Sequence, residues 1–217
     1  MDAIVIRKYL EKDQNEIINI CFDTGFLGEN LKKTNRFNDK KLFGYLFCTY
    51  YLQFETENCF VAEDVSNNII IGYIIGTMNT KKQERLFKSK MAWRICARVL
   101  TYTCWKHPET MKSIMYYVKH LQNNPSTKDL SREYPAHLHM NIVSQNQHSG
   151  MGLSLLKEFE KHTLANHVYG IHLETTDRHL KAIPFYLKNN YKILCEKNVH
   201  LWKGIDYDKG ITMGKKI

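Results

Sequence analysis

The stretch Ala136-His137-Leu138-His139-Met140-Asn141-Ile142-Val143-Ser144-Gln145-Asn146-Gln147-His148-Ser149-Gly150-Met151-Gly152 changes character partway along its length. Up to Val143 it alternates with period two, which places His137, His139 and Asn141 on one face of a strand and Leu138, Met140 and Ile142 on the other. A polar turn follows. Two glycines then open an amphipathic segment that predicts a helix from about Gly150 to His167. Glycine lets backbone N–H groups approach a ligand closely, and a helix start adds about half a positive charge along the direction of those groups. Such a strand, loop and helix suits a pyrophosphate. No Gly-Lys-Ser/Thr follows, which excludes a nucleotide-triphosphate loop, and only two of the three glycines of a dinucleotide fingerprint can be placed.

Outward from this stretch, the pattern predicts a strand at Ile171 to Thr175, a helix at Leu180 to Lys188, and strands at Tyr191 to Cys195 and Ile211 to Lys215. Towards the N-terminus it predicts a strand at Ala3 to Arg7, a helix at Asp13 to Cys21 and a helix at Asp39 to Phe54. Cys59 to Glu63 and Ile69 to Thr77 form a hairpin around the turn residues Asp64 to Asn68. Between Lys81 and Asn124 the apolar residues Phe87, Met91, Ile95, Val99 and Tyr102 recur at helical spacing, so two helices are expected, broken near His107-Pro108. The result is a mixed α/β chain with about seven strands, read as a single domain over 1–217 carrying a helical insertion at about 80–133.

The 217 residues carry a net charge of +9, with 43% hydrophobic and 24% charged residues, the composition of a globular protein. Between 79 and 135 there are twelve Lys or Arg against four Asp or Glu, so +8 of the charge lies in the insertion. There, between the third and fourth strands, Lys90, Arg94 and Arg98 form one stripe, while Met91, Ile95, Val99 and Tyr102 form another that can pack on the domain. No aromatic recognition motif accompanies the charge, so no nucleic-acid partner is expected. The longest apolar run, Ile69 to Ile75, is too short to span a membrane, and the N-terminus lacks the features of a secretory signal. A cytoplasmic protein, monomeric or homodimeric, is expected. Abundant Lys, Asn and Ile fit a bacterial source. The six cysteines lack Cys-x-x-Cys pairs and neighbouring histidines at zinc spacing, so neither a disulfide framework nor a metal is signalled.

Gln147-x-x-Gly150-x-Gly152 after a strand resembles motif A of the GNAT acetyltransferases, the loop whose amides hold the pyrophosphate of coenzyme A. Downstream, His179-x-x-Ala182-x-x-Phe185-Tyr186-x-x-x-Asn190-Tyr191 resembles that family's Asn-x-x-Ala-x-x-Phe-Tyr-x-x-x-Gly-Phe. His179 replaces the usual Asn, and Asn190-Tyr191 replaces Gly-Phe. Ala136-His137-Leu138-His139 is similar to a strand of arylalkylamine N-acetyltransferases, and Tyr134 to His139 resembles bacterial relatives of the acetyltransferase-like domain of O-GlcNAcase. That animal domain is regarded as a pseudo-enzyme lacking the glycine loop, which Gly150 and Gly152 retain here.

The resemblance implies an acetyl-CoA-dependent acetyltransferase that needs no metal and acts on a small-molecule amine or a protein amine. It places the coenzyme against Ile142, Val143, Gln147, His148, Ser149, Gly150, Met151, Gly152 and Leu153, and against His179, Ala182 and Phe185. It assigns Tyr186 to protonating the coenzyme A thiolate, and His139 with His137 to taking the amine proton near neutral pH. Glu174 and His172 on the neighbouring strand are second-choice bases. A non-catalytic acyl-CoA-binding or regulatory module on the same fold is the alternative, motivated by His179 and Asn190-Tyr191.

Overall fold

The computed structural model describes residues 4–28, 30–31, 34, 36–120, 130–143, 150–200 and 208–217. Its strands are β1 (Ile4–Lys8), β2 (Phe60–Asp64), β3 (Ile69–Thr77), β4 (Ala136–Ile142), β5 (Gly170–Thr176), β6 (Lys192–Val199) and β7 (Asp208–Lys216). They make one seven-stranded sheet in the order β1-β2-β3-β4-β5-β7-β6. Every pairing is antiparallel except β4 with β5. The β2–β3 turn is built as its residues dictate. Asp64 Oδ1 accepts from the amides of Ser66 (3.0 Å) and Asn67 (3.3 Å), and Asn68 takes the left-handed conformation at φ 52° that its short polar side chain tolerates.

Helices cover both faces. On one lie α1 (Gln14–Asp23), α2 (Lys40–Phe47), α3 (Thr49–Phe54) and α4 (Thr80–Arg98), which bury Ile17, Phe22, Leu42, Tyr50 and Met91 with Tyr73 and Ile75 of β3. On the other, α7 (Met151–Ala165) and α8 (Ala182–Lys188) bury Leu155, Phe159 and Tyr186 against Ile74, Leu138, Ile171 and Met213. The period-two alternation of the central strands divides the two cores: Tyr73 and Ile75 point one way, Ile74 the other.

The expected helix at Asp39 to Phe54 is two helices, interrupted at Cys48 (φ −121°, ψ −46°). No Gly or Pro marks the break. Cys48 is fully buried against the α1 side of the sheet, so tertiary packing outweighs local propensity there. Asp13 does not cap α1; its carboxylate binds Arg7 (2.7 Å) and the Leu10 amide (2.9 Å).

From 80 to 120 the insertion is helical: α4, a π-helical turn at Val99–Thr103, α5 (Cys104–Lys106) and α6 (Pro108–His120). The break falls at His107, because a residue before proline avoids the α conformation and Pro108 suits the first helical position. Met91 is wholly buried, with Phe87, Ile95 and Val99 packed around it, whereas Tyr102 is exposed.

The basic stripe is not uniform. Arg98 forms an ion pair with Asp39 at 2.7 Å, and Arg94 donates to Gln53 Oε1 at 2.6 Å, so two of its three members are tied to the domain. Asp39 also caps α2 through the Leu42 amide (3.0 Å) and accepts from Thr103 Oγ1 (2.6 Å). Burial raises the Asp39 carboxyl pKa, but Arg98, Thr103 and the Leu42 amide together hold it below the usual range. The insertion is therefore anchored to α2, and its apolar stripe packs on the domain as expected except at Tyr102.

Candidate functional site

β4 and β5 are each seven residues long, yet their parallel pairing covers only Ala136 with Ile171 and His137 with His172. Beyond that step the strands part. β4 stays paired to β3 from His137 to Ile142 and β5 to β7 along its whole length, so the gap is a wedge in the middle of the sheet and not a frayed edge. Its C-terminal mouth lies where β4 hands over to α7, the end of a parallel pair at which ligands of open α/β sheets bind.

The start of α7 borders that mouth. Gly150 is left-handed at φ 80° and makes no side-chain cap, and a Cβ placed on it would meet nothing within 4 Å. Gly152 is a close approach instead: a Cβ there would lie 3.1 Å from Ile142 Cδ1 and 3.4 Å from the Phe185 ring. Ile142, Gly152 and Phe185 thus meet at one junction of β4, α7 and α8. Val143 is fixed by its amide donating to Ile71 O (2.9 Å) and packs towards α1. Gln147, His148 and Ser149 lie outside the described residues.

Just before α8, His179 Nδ1 accepts from the Ala182 amide at 3.2 Å, which commits one nitrogen of the residue expected to touch the coenzyme. Tyr186 is buried in the α7/α8 core, 5.1 Å from the Phe185 ring and 5.4 Å from the Tyr191 ring. Burial raises its hydroxyl pKa well above the ordinary value, so it is protonated at neutral pH. The helix ends as the altered motif allows. Asn190 takes the left-handed conformation at φ 67°, and Tyr191 is buried in the place of the usual Phe.

The opposite face of β4 carries the polar stripe. His137 Nδ1 lies 3.3 Å from the Tyr51 hydroxyl, and its ring is 5.1 Å from that of His172. Asn141 Nδ2 donates to the Tyr73 hydroxyl at 2.9 Å and touches His139 Nε2 at 3.5 Å. His139 Nδ1 is buried with no hydrogen-bond partner among the described residues. Burial lowers the pKa of His139 to about 4. The same effect, reinforced by His172 and His139, lowers that of His137 to about 3. This corrects the expected ionisation near neutral pH: both rings are neutral there and change charge only in acid.

His172 is likewise lowered by burial, with Nδ1 2.8 Å from Tyr134 O. Glu174 is exposed, 3.8 Å from Lys197 Nζ, and lies beyond the point where β4 and β5 part.

One cluster is invisible in the sequence. Cys21 at the end of α1, Cys48 at the α2–α3 break and His139 on β4 bring two sulfurs and a ring nitrogen within 4.8 Å of one another. Three separate elements supply them, so no local spacing could have announced the cluster.

No protein-family model matches the chain. Solved structures do resemble it. The crystal structure of SsHAT aligns over 99% of this chain and 98% of its own at 20% identity, with a TM-score of 0.76. The polyamine N-acetyltransferase of Drosophila melanogaster, an enzyme that forms N-acetylagmatine, aligns over 99% and 100% at 13% identity and 0.60. A GNAT superfamily phosphinothricin acetyltransferase from Sinorhizobium meliloti, solved with acetyl-CoA, aligns over 100% and 89% at 12% identity and 0.58. The chain has the GNAT acetyltransferase fold. Among the described residues no helix is long and apolar enough to cross a membrane.

Proposed function

We propose that the protein is an N-acetyltransferase that moves the acetyl group of acetyl-CoA directly to a primary amine. The observation that carries this reading is the parting of β4 and β5 beside the glycine start of α7. Acetyl-CoA lies with its pantetheine arm in the wedge, flanked by Ile142 and Phe185, and its pyrophosphate on the amides expected from His148 to Leu153, less that of Leu153, which already donates to Gly150 O at 3.1 Å. The whole chain works as one catalytic domain, with the basic segment as an insertion. The fold is shared with enzymes described as acting on polyamines and on phosphinothricin, which supports an amine acceptor.

The amine nitrogen attacks the thioester carbonyl carbon, the carbon–sulfur bond breaks, and coenzyme A leaves as the thiolate. Positioning supplies most of the acceleration. With its pKa raised, Tyr186 is a weak acid. Its role is to hydrogen-bond the sulfur as charge develops and to pass its proton over late in the step. His139, neutral and with one nitrogen unpartnered, accepts the amine proton through water, with His137 behind it.

Isothermal calorimetry with acetyl-CoA, followed by turnover against agmatine, other polyamines and peptide N-termini, tests this. We expect binding to be lost in Gly152→Leu, whose side chain would fill the Ile142–Phe185 junction, and turnover on at least one amine class. Binding without turnover on any amine would instead favour a non-catalytic acyl-CoA-binding module. Unchanged binding in a folded Gly152→Leu protein would overturn the placement of the coenzyme.

A further inference from the structure

We propose that Cys21, Cys48 and His139 form a binding site for one zinc ion, set between α1, the α2–α3 break and β4. Their donor atoms already lie within 4.8 Å of one another. Around one tetrahedral zinc, with Zn–S near 2.3 Å and Zn–N near 2.1 Å, such atoms sit roughly 3.6–3.8 Å apart, so the ion needs them to close by about 1.2 Å at most. Side-chain rotation supplies that.

A second observation points the same way. His139 Nδ1 is buried without a partner among the described residues, an arrangement that costs stability unless something uses the nitrogen. The two sulfurs are equally enclosed, with Cys21 and Cys48 at 1% and 0% exposure. Cys59, also buried, is committed elsewhere, its thiol donating to Glu55 O at 3.4 Å.

The chemistry of the donors selects the ion. Two sulfurs and an imidazole are a soft set that suits zinc and excludes magnesium or calcium. Two thiolates cancel the charge of Zn²⁺ and leave a neutral unit, which an apolar interior tolerates where a net charge would be costly. An outer shell is present as well. The Tyr73 hydroxyl lies 3.8 Å from Cys48 Sγ, and Asn141 bridges Tyr73 and His139. Turned by 180°, the Asn141 amide would offer its oxygen to His139 Nε2–H, the kind of contact that orients a metal-bound histidine. A zinc ion here would occupy His139 from the sheet face opposite Tyr186 and, on the proposed role of His139 as proton acceptor, compete with that role.

The test reads the metal and not the reaction, so it stands whatever the acetyl-transfer assay gives. Chelator-treated protein is titrated with Co²⁺, and the sulfur-to-cobalt charge-transfer band is followed before displacement by Zn²⁺. We expect one equivalent to bind. Replacing the other non-core thiols, in Cys96→Ser/Cys104→Ser/Cys195→Ser, should leave the titration unchanged, since two of those cysteines are exposed and the third half-buried. His139→Gln should weaken binding by more than about 100-fold, the upper end for losing a mere outer partner. Cys48→Ser should abolish the band, but a core serine can impair folding, so His139→Gln and the triple variant decide the matter, each checked by circular dichroism. No band in the wild-type protein, a band lost in the triple variant, or undiminished affinity in His139→Gln would each overturn the site.

Discussion

The two faces of β4 differ in what they bury. Towards α7 and α8, Leu138, Met140 and Ile142 meet carbon. Towards α1 to α3, His137, His139 and Asn141 are enclosed with Tyr51 and Tyr73. One strand thus carries a face that contributes stability and a face that gives some up, since the half-buried His139 ring has surrendered hydration and its enclosed Nδ1 finds no partner among the described residues. Such an imbalance is retained where side chains have chemistry to do.

The contrast predicts opposite responses to mutation. Leu138→Ala, on the face that holds the strand, should cost about 2–5 kcal/mol in denaturant-determined stability, the range for emptying a core leucine position. Loss of catalysis with little loss of stability in that variant would reverse the roles assigned to the faces.

Acid should reveal the polar face next. The folded-state pKa of His139 lies near 4 against about 6.5 unfolded, so the unfolded chain takes up its proton first as pH falls. Its contribution is intact above pH 6.5, declines as pH drops, and is gone below about 4, on the order of 3 kcal/mol in all. Equilibrium melts of chelator-treated protein across that window should show the decline, and His139→Gln should show less of it. A pH-independent stability would mean that the ring is better solvated than its surroundings imply.

Tyr186→Phe sharpens the comparison from the opposite face. It removes the hydroxyl proposed to meet the sulfur and leaves the ring packing in place, so the single-turnover rate should fall about 10²-fold with acetyl-CoA affinity kept. An unchanged rate would make Tyr186 a core residue only. Gly150→Ala should have the smallest effect. The added methyl meets open space, but φ 80° is strained for alanine, so a loss of about 1 kcal/mol in thermal stability is expected.

The sequence showed most clearly what is encoded locally. The period-two run of β4, the paired glycines of α7 and the Asp64 turn each announce themselves within a few residues, and all three hold in the fold. Features made by distant residues were hidden. The helix break at Cys48 has no local signal. Arg98 looks equivalent to Lys90 until Asp39, far away in the chain, singles it out. His137 and His139 were legible as a polar stripe, but their depressed ionisation depends on the helices that cover them.

Asp39 has a consequence for how the protein breathes. One carboxylate caps the first turn of α2, balances Arg98 and accepts from Thr103, so lifting the insertion away would take its ion-pair partner and a hydroxyl donor at once and leave it only the Leu42 amide. Breaking such a pair costs roughly 3–5 kcal/mol, so the separated form is sampled well under one part in a hundred. The first turn of α2 and the last turn of α4 should therefore behave as one clock in amide exchange. Their protons should be released together, in the slow phase that belongs to cooperative opening of the core beneath α1 to α4 and not in the fast phase of a swinging flap.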